Sequence, residues 1–224
     1  MSSQPPTDER SSTAGAAAKA PRRPRYLVAA LLMALLFGAG CWTEGCERIS
    51  FYRGEQDLGR TLDASIRDDA DRAKIGALYK RFAEASDAAR SRALPLGAAM
   101  FVLGAALLAL GARGLGGKTN TRSALVQVVT AQAVVVAISY FATREIRWAE
   151  RDLEVELQLI HQRPSLPADQ YEQLVPMMYG LRKAWDPTWL VIRTMASGLI
   201  VFALTRARSR EFFEAASGSA VSER

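Results

Sequence analysis

Four long apolar runs, separated by strongly polar segments, dominate the pattern along the chain. Each run has 16 to 19 residues, close to the about 20 that a helix needs to cross the hydrocarbon core of a bilayer. Helices buried in a soluble bundle normally keep a polar stripe, and the first two runs have none. The pattern predicts four transmembrane helices, over residues 26–42, 94–112, 124–142 and 189–204.

The first long connection, residues 43–93, has the pattern of an amphipathic helical hairpin. Leu58, Leu62 and Ile66 recur at intervals of four, and after a charged stretch the apolar residues resume from Ile75 to Ala89 at intervals of three and four. This spacing places apolar side chains on one face of each helix. We expect two helices that fold back on each other near residues 67–72.

The second long connection, residues 143–188, repeats this plan. A stripe from Ile146 to Ile160 predicts that the third span continues outward as one helix, which stops before Pro164. A return helix follows, with Pro167 as its first residue and Pro176 as a kink, and it carries this stripe: Tyr171, Leu174, Met178, Leu181 and Trp185. Asp186 and Pro187 are typical of the N-cap and first residue of a separate fourth span.

The predicted fold class is therefore an all-α membrane protein, with two transmembrane hairpins whose helices extend outside the membrane as an amphipathic helical bundle. We expect all four arms of this bundle to bury their stripes against one another. The two halves have the same order of elements, which is the pattern of a tandem duplication. Residue identity between them is sparse.

Composition and charge change this picture in one respect, which is orientation. The chain is 49% hydrophobic with a net charge of +6, and its mean hydropathy near zero averages the apolar runs with very polar segments. Basic residues are concentrated before the first run, between the second and third, and after the fourth, whereas connection 43–93 has ten basic and ten acidic residues and connection 143–188 has six and eight. Short basic segments resist translocation, so this distribution predicts both termini inside and both long connections outside.

The remaining segments and the tryptophans fit the same frame. Residues 1–25 are predicted as a disordered cytoplasmic tail, 113–123 as a cytoplasmic loop and 205–224 as a second tail, disordered from Ser217 onward. All four tryptophans fall at or just beyond the outer ends of the spans, where such rings anchor at the interface: Trp42, Trp148, Trp185 and Trp189.

Small residues at regular spacing predict where helices pack closely in lipid. The second run carries glycines at strict intervals of seven, which is typical of one face of a left-handed helix pair. The other runs carry small residues at intervals of four. The candidate packing positions are Ala30, Ala34, Gly38, Gly97, Gly104, Gly111, Ala133, Ala137, Thr194 and Gly198.

Cys41 and Cys46, the two cysteines of the chain, lie at the outer end of the first run. They predict a disulfide or a thiol-redox pair if the backbone bends between them, since on a continuous helix they would point about 140° apart. A cysteine pair on four spans resembles the membrane quinone-linked thiol oxidases, but those have a CxxC motif and a second pair, which this chain lacks. Alternatively, the GAGC sequence ending at Cys41 imitates a lipid-attachment signal.

Arg193 is the single ionisable residue within the four runs, and such charges are candidates for function or for snorkelling to the interface. As a functional residue it is expected to meet polar groups of the third span: Gln127, Thr130, Gln132 or Ser139. The other runs offer no acidic partner, which argues against a proton relay. A channel or transport component using Arg193 remains an alternative hypothesis.

The sequence contains no nucleotide-binding loop, nucleophile motif or metal-ligand spacing. His161 is the sole histidine and is expected at a helix end, and Asp68, Asp69 and Asp71 are expected in a solvated turn. We therefore expect no cofactor, no metal and no nucleic-acid partner. The expected partners are the bilayer, anionic headgroups at the basic flanks, and another protein or a second copy.

The favoured function is a non-enzymatic scaffold, accessory subunit or sensor. The excess of arginine over lysine, 24 to 5, favours a bacterial inner membrane as its location.

Overall fold

The computed structural model describes residues 24–53, 66, 68–118 and 121–221. The predicted N-terminal tail, up to residue 23, and the first stripe residues, Leu58 and Leu62, lie outside this part. Six α-helices and one short 3-10 turn, Arg163–Ser165, make up the described chain. The helices are α1 (Arg25–Tyr52), α2 (Asp69–Leu115), α3 (Thr121–Ala142), α4 (Arg144–Gln162), α5 (Ala168–Thr205) and α6 (Ala207–Val221).

Four of these helices, α1, α2, α3 and α5, are long and apolar enough to cross a membrane. The prediction of an all-α protein with four such helices is confirmed. Three of the four, α1, α2 and α5, project well beyond the predicted spans. We call residues 43–53, 68–93 and 143–188, which comprise these projections together with α4 and the 3-10 turn, the arm layer.

The helices α1 and α2 form the closest pair in the molecule, and glycines make this approach possible. A Cβ atom on Gly45 would lie 2.5 Å from the Phe101 amide nitrogen, and one on Gly104 would lie 2.5 Å from the Trp42 amide nitrogen. Added side chains at Gly38, Gly97 and Gly111 would also meet the partner helix. Backbones without side chains between them gain dispersion contacts in lipid, where apolar burial gives no advantage over lipid contact.

Two clusters of apolar side chains stabilise the bundle. The first lies within the spans and joins α1, α2, α3 and α5. Phe212 and Phe213 of α6 also belong to this cluster, so the C-terminal stretch folds back onto the bundle as a helix. The expectation of disorder from Ser217 is wrong as far as Val221, where α6 ends.

The second apolar cluster lies in the arm layer. Ile75 and Phe82 of α2 pack with Ala149 and Leu153 of α4, and Phe51 of α1 lies against them. The predicted stripes of α2 and α4 thus face each other.

The arm of α5 departs from the prediction. None of its five predicted stripe residues is buried, and Leu181 and Trp185 are 61% and 51% exposed.

Three predicted helix boundaries are wrong. The third span does not continue outward as one helix, because Thr143 has φ −111° and ψ 24° and its hydroxyl bonds back to the Ser139 carbonyl at 2.7 Å, a contact that bends helices. The fourth span is not a separate helix, because α5 runs through Pro187. Pro167 is the N-cap of α5 and not its first residue.

The helix α5 continues through Pro187, although proline removes one helical hydrogen bond. The carbonyl that loses this bond is that of Lys183, four residues earlier, whereas the Thr188 hydroxyl donates to the Ala184 carbonyl at 2.7 Å. Pro176 and Pro95 are likewise accommodated inside α5 and α2.

Candidate functional site

A cluster of polar side chains crosses the bundle at the end of the spans that adjoins the arm layer. Arg193 of α5 donates to Glu44 Oε2 at 3.2 Å and to Cys41 Sγ at 2.8 Å. Arg48 donates to Glu44 Oε1 at 3.1 Å and to Ser139 Oγ of α3 at 3.0 Å. Glu44 therefore accepts from two guanidinium groups, and the cluster links α1, α3 and α5.

Cys41 is the inner end of this cluster. Its sulfur is fully buried and also accepts from Gln132 Nε2 at 2.8 Å, whose nitrogen lies 3.2 Å from the Phe37 carbonyl as well. Cys41 and Cys46 are free thiols on one continuous helix. Their sulfurs point to different sides of α1, and a disulfide between them would require the helix to unwind.

The predicted partners of Arg193 are only partly correct. Gln132 and Arg193 both donate to the Cys41 sulfur, whereas the Ser139 hydroxyl accepts from Arg48. Gln127 and Thr130 are exposed on another face of α3, where the Thr130 hydroxyl bonds to its own helix.

The sequence did not predict Glu44 as the acidic partner of Arg193, because the apolar run that predicts the first span ends at Trp42. The helix continues to Tyr52. Positions 41, 44 and 48 then fall on one face at helical spacing, which is the signal that could have identified Glu44 and Arg48.

Next to this cluster, the arm layer contains a cleft of about 560 Å³, which Glu44 and Arg48 also line. We call it the arm-layer cleft. Four of the helices contribute to its walls: α1, α2, α4 and α5. Its charged residues are Glu44, Glu47, Arg48, Arg147, Glu150, Arg151, Glu154, Arg182 and Asp186.

Several of these charged side chains have partners in or beside the cleft. Arg182 of α5 forms an ion pair with Glu154 of α4, which fixes these two arms together. Arg151 reaches Asp152 at 3.4 Å, and Arg147 lies over the ring of Tyr140, 3.6 Å from its centroid.

Glu150 lies on the α4 side of the cleft, close to other carboxylates. Surrounding protein raises the pKa of its carboxyl group by desolvation, and the neighbouring carboxylate of Glu154 raises the pKa further. Arg48 and Arg182 lower it, and Asp186 raises it slightly. The Glu150 side chain is nevertheless accessible from the cleft, so the carboxyl group is available to a ligand.

The other candidate residues serve local structure. Asp68 caps α2 by accepting from the Ala70 amide at 2.8 Å. Asp69 pairs with Arg72, Asp71 pairs with Arg163, and His161 Nδ1 lies 3.0 Å from the Leu157 carbonyl in the last turn of α4. Within the described ranges, no group of three or more histidine, cysteine, aspartate or glutamate side chains has the geometry to hold a metal ion.

The four tryptophans are all partly exposed. Trp42 stacks on Phe101 at 6.0 Å, and Trp185 stacks on Trp189 at 6.1 Å. Trp148 lies beneath the Arg144 guanidinium. Aromatic rings paired with arginine or with one another at the ends of apolar helices are typical of interface anchors.

The small residues divide into three groups. Ala30, Ala34 and Gly38 are buried inside the bundle, and Gly97, Gly104 and Gly111 face α1. Ala133 and Ala137 are half-buried on α3. Thr194 and Gly198 are exposed on α5, and an added Cβ at Gly198 would meet no atom within 4 Å. This last pair therefore lies on the exposed side of α5.

Comparison with models of protein families, with curated proteins and with solved structures finds no match.

Proposed function

We propose that this chain is a non-enzymatic four-span protein of a bacterial inner membrane, which acts as a scaffold or accessory subunit by pairing with a second copy of itself along α5. The observation that carries the proposal is an apolar face on α5 that no other part of the described chain covers. The arm layer stands on the outer side in this account, as the distribution of basic residues indicates.

The exposed face of α5 follows a heptad repeat. Positions separated alternately by four and three residues run along one side of the helix, and eight of the nine are apolar. We call these nine residues the α5 seam: Leu174, Met178, Leu181, Trp185, Thr188, Ile192, Met195, Leu199 and Phe202. Six of them are between 49% and 66% exposed.

A heptad repeat is the spacing of a left-handed helix pair, whereas contact with lipid alone requires no such period. The seam also continues into the arm layer, where Leu181 would face water. A partner must therefore cover both a membrane segment and an arm. A second α5 matches this seam in length and period.

The exposed area is sufficient for a stable pair. The large apolar residues of the seam and its flanks, Met177, Trp189 and Val191 among them, are about half exposed. At roughly 200 Å² for each large side chain, they present about 900 Å² per copy, compared with about 800 Å² per partner in a standard interface. Gly198 borders the seam and permits close approach of the backbones.

Cross-linking in native membranes tests this pairing. In a chain with Cys41→Ser and Cys46→Ser, Leu181→Cys places a thiol at a seam position. The matched control is Gly180→Cys, one residue away, exposed and about 100° around the helix. We expect oxidation to join two 24.4 kDa chains through Leu181→Cys and not through Gly180→Cys. Equal cross-linking of both variants, or a monomer mass in mild detergent by light scattering, would contradict the pairing.

A further inference from the structure

A groove runs between α1 and α5 at the end of the spans opposite the arm layer, and we call it the α1–α5 groove. Its volume is about 290 Å³, close to the lower end of the range of small-ligand sites, roughly 300–1,000 Å³. Apolar side chains of both helices form its walls: Ala29, Ala30, Met33, Leu199, Ile200 and Ala203. Ala29 and Leu199 are exposed, so the groove opens onto the lipid-facing surface of the bundle.

Arg206, just beyond the end of α5, lies at the mouth of this groove. Its Cζ atom is 4.7 Å from the centroid of the Phe202 ring and 5.6 Å from that of the Tyr26 ring. The side chain is exposed and forms no ion pair or hydrogen bond with another described residue. Among the described residues, no carboxylate lines the groove. The positive charge and the N–H donors of Arg206 are therefore available to a ligand.

The two aromatic rings fix the position of this guanidinium. A cation over an aromatic face is attracted by the ring quadrupole. The Tyr26 ring is itself held in place, because its hydroxyl lies 3.3 Å from Ser209 Oγ of α6, and α6 packs on the bundle through Phe212 and Phe213. A guanidinium fixed in this way can present its N–H donors in the fork geometry that matches two phosphate oxygens.

The depth of Arg206 matches that of a lipid phosphate. The fourth apolar run ends at Leu204, and Arg206 separates α5 from α6. Arg122 of α3 lies at the same level, since its Nε donates to the Leu204 carbonyl at 2.8 Å. Headgroups lie directly beyond the hydrocarbon core. A lipid whose phosphate meets Arg206 therefore has its acyl chains beside the spans, where the apolar walls of the groove lie.

We propose that the α1–α5 groove binds one anionic phospholipid of the phosphatidylglycerol type, with its phosphate on Arg206 and an acyl chain along the groove. This headgroup carries one negative charge and no ammonium group, which matches a groove with one arginine and no carboxylate among its described residues. Leu199 and Phe202 also belong to the α5 seam, so the lipid lies beside the second copy in a pair. Each chain has its own groove, and the lipid site does not depend on the pairing.

Native mass spectrometry of the purified full chain in a maltoside detergent tests the proposal. The probes are phosphatidylglycerol, phosphatidylethanolamine with the same acyl chains, and soluble glycerol phosphate. We expect one tightly bound phosphatidylglycerol per chain, in monomer and pair alike, and binding of phosphatidylethanolamine that is weaker by about fivefold or more. Glycerol phosphate, which has no acyl chain, should not bind measurably. Equal affinity for the two lipids, or equal affinity for phosphatidylglycerol and glycerol phosphate, would overturn the proposal.

Two variants matched in charge separate the groove from general attraction to a basic surface. Arg206→Gln removes the phosphate contact and should weaken binding of phosphatidylglycerol about tenfold. Arg210→Gln removes the same charge from an exposed position of α6 outside the groove. It should change the affinity by less than about twofold, because exposed charges away from the ligand are screened. Equal losses in the two variants would contradict a site at Arg206.

Two further variants test the apolar wall. Ala29→Phe places a ring in the groove and should weaken binding of phosphatidylglycerol by about fivefold or more, because the ring occupies the path of the acyl chain. Ala131→Phe places the same ring on the exposed side of α3 and should leave the affinity unchanged. If Ala29→Phe unfolds the chain, Ala29→Leu takes its place. Equal affinities for the variants at positions 29 and 131 would contradict an acyl chain in the groove.

Discussion

At the scale of single residues, glycine and a few polar groups determine how closely the helices pack. The glycines at intervals of seven on α2 could be recognised from the sequence because a strict period is visible without knowledge of the fold. Gly45 could not be recognised as a packing position, since it lies beyond the apolar run that ends at Trp42. Glu44 lies beyond the same run, so its contact with Arg193 could not be predicted either. A contact between two residues 149 positions apart can be predicted only when the lengths of both helices are known.

Replacement of Gly45 by alanine should destabilise the bundle by about 1–3 kcal/mol, because the new Cβ would overlap the backbone of α2. It would lie 2.5 Å from the Phe101 nitrogen and 2.8 Å from the Gly97 oxygen. Gly40→Ala is the matched control on the same helix, since that Cβ would meet open space. Thermal unfolding in detergent measures the difference. Equal midpoints for Gly45→Ala and Gly40→Ala would show that the close approach is not required.

At the scale of helices, periodicity predicted the elements well and their boundaries less well. The stripes of α2 and α4 meet as expected, because each has a partner of matching length in the arm layer. The arm of α5 also carries a stripe of apolar residues in the sequence, yet none of these residues is buried. Periodicity shows that a face is apolar, but the number of available partners decides whether the chain itself covers that face.

The surroundings of Glu150 in the arm layer predict that the stability of the fold depends on pH. Burial, with a smaller contribution from Glu154, raises the pKa of Glu150 above its ordinary value of 4.5. The folded state therefore holds a proton that the unfolded state releases, and stability falls as pH rises from 4.5 through the folded pKa. Glu150→Gln removes this titration. The unfolding temperature of the wild type should therefore fall relative to that of Glu150→Gln as the pH rises above 4.5.

Glu84→Gln is the control for this titration, because Glu84 is exposed and pairs only loosely with Lys80, at 4.0 Å. Its unfolding temperature should follow that of the wild type at every pH. A constant difference between the wild type and Glu150→Gln across the pH range would indicate a packing effect and contradict the titration.

At the scale of the whole molecule, the chain is a bundle in which four apolar helices carry a polar arm layer at one end. Hydropathy predicted this division because an apolar run of span length has few other uses. Helical continuity was harder to predict, since Pro187 ordinarily marks a boundary but lies inside α5 here. The arm-layer cleft was not predictable, because its residues come from four helices and share no sequence motif.

The central claim, four spans with the arm layer outside, is tested most directly by thiol labelling in intact cells. In a chain with Cys41→Ser and Cys46→Ser, Gly76→Cys places a thiol on an exposed, open site of α2 in the arm layer. Lys118→Cys places one in the short connection between α2 and α3. A membrane-impermeant maleimide should label Gly76→Cys without permeabilisation and Lys118→Cys only after it. Labelling of both sites from the same side, or of Lys118→Cys alone in intact cells, would contradict the account.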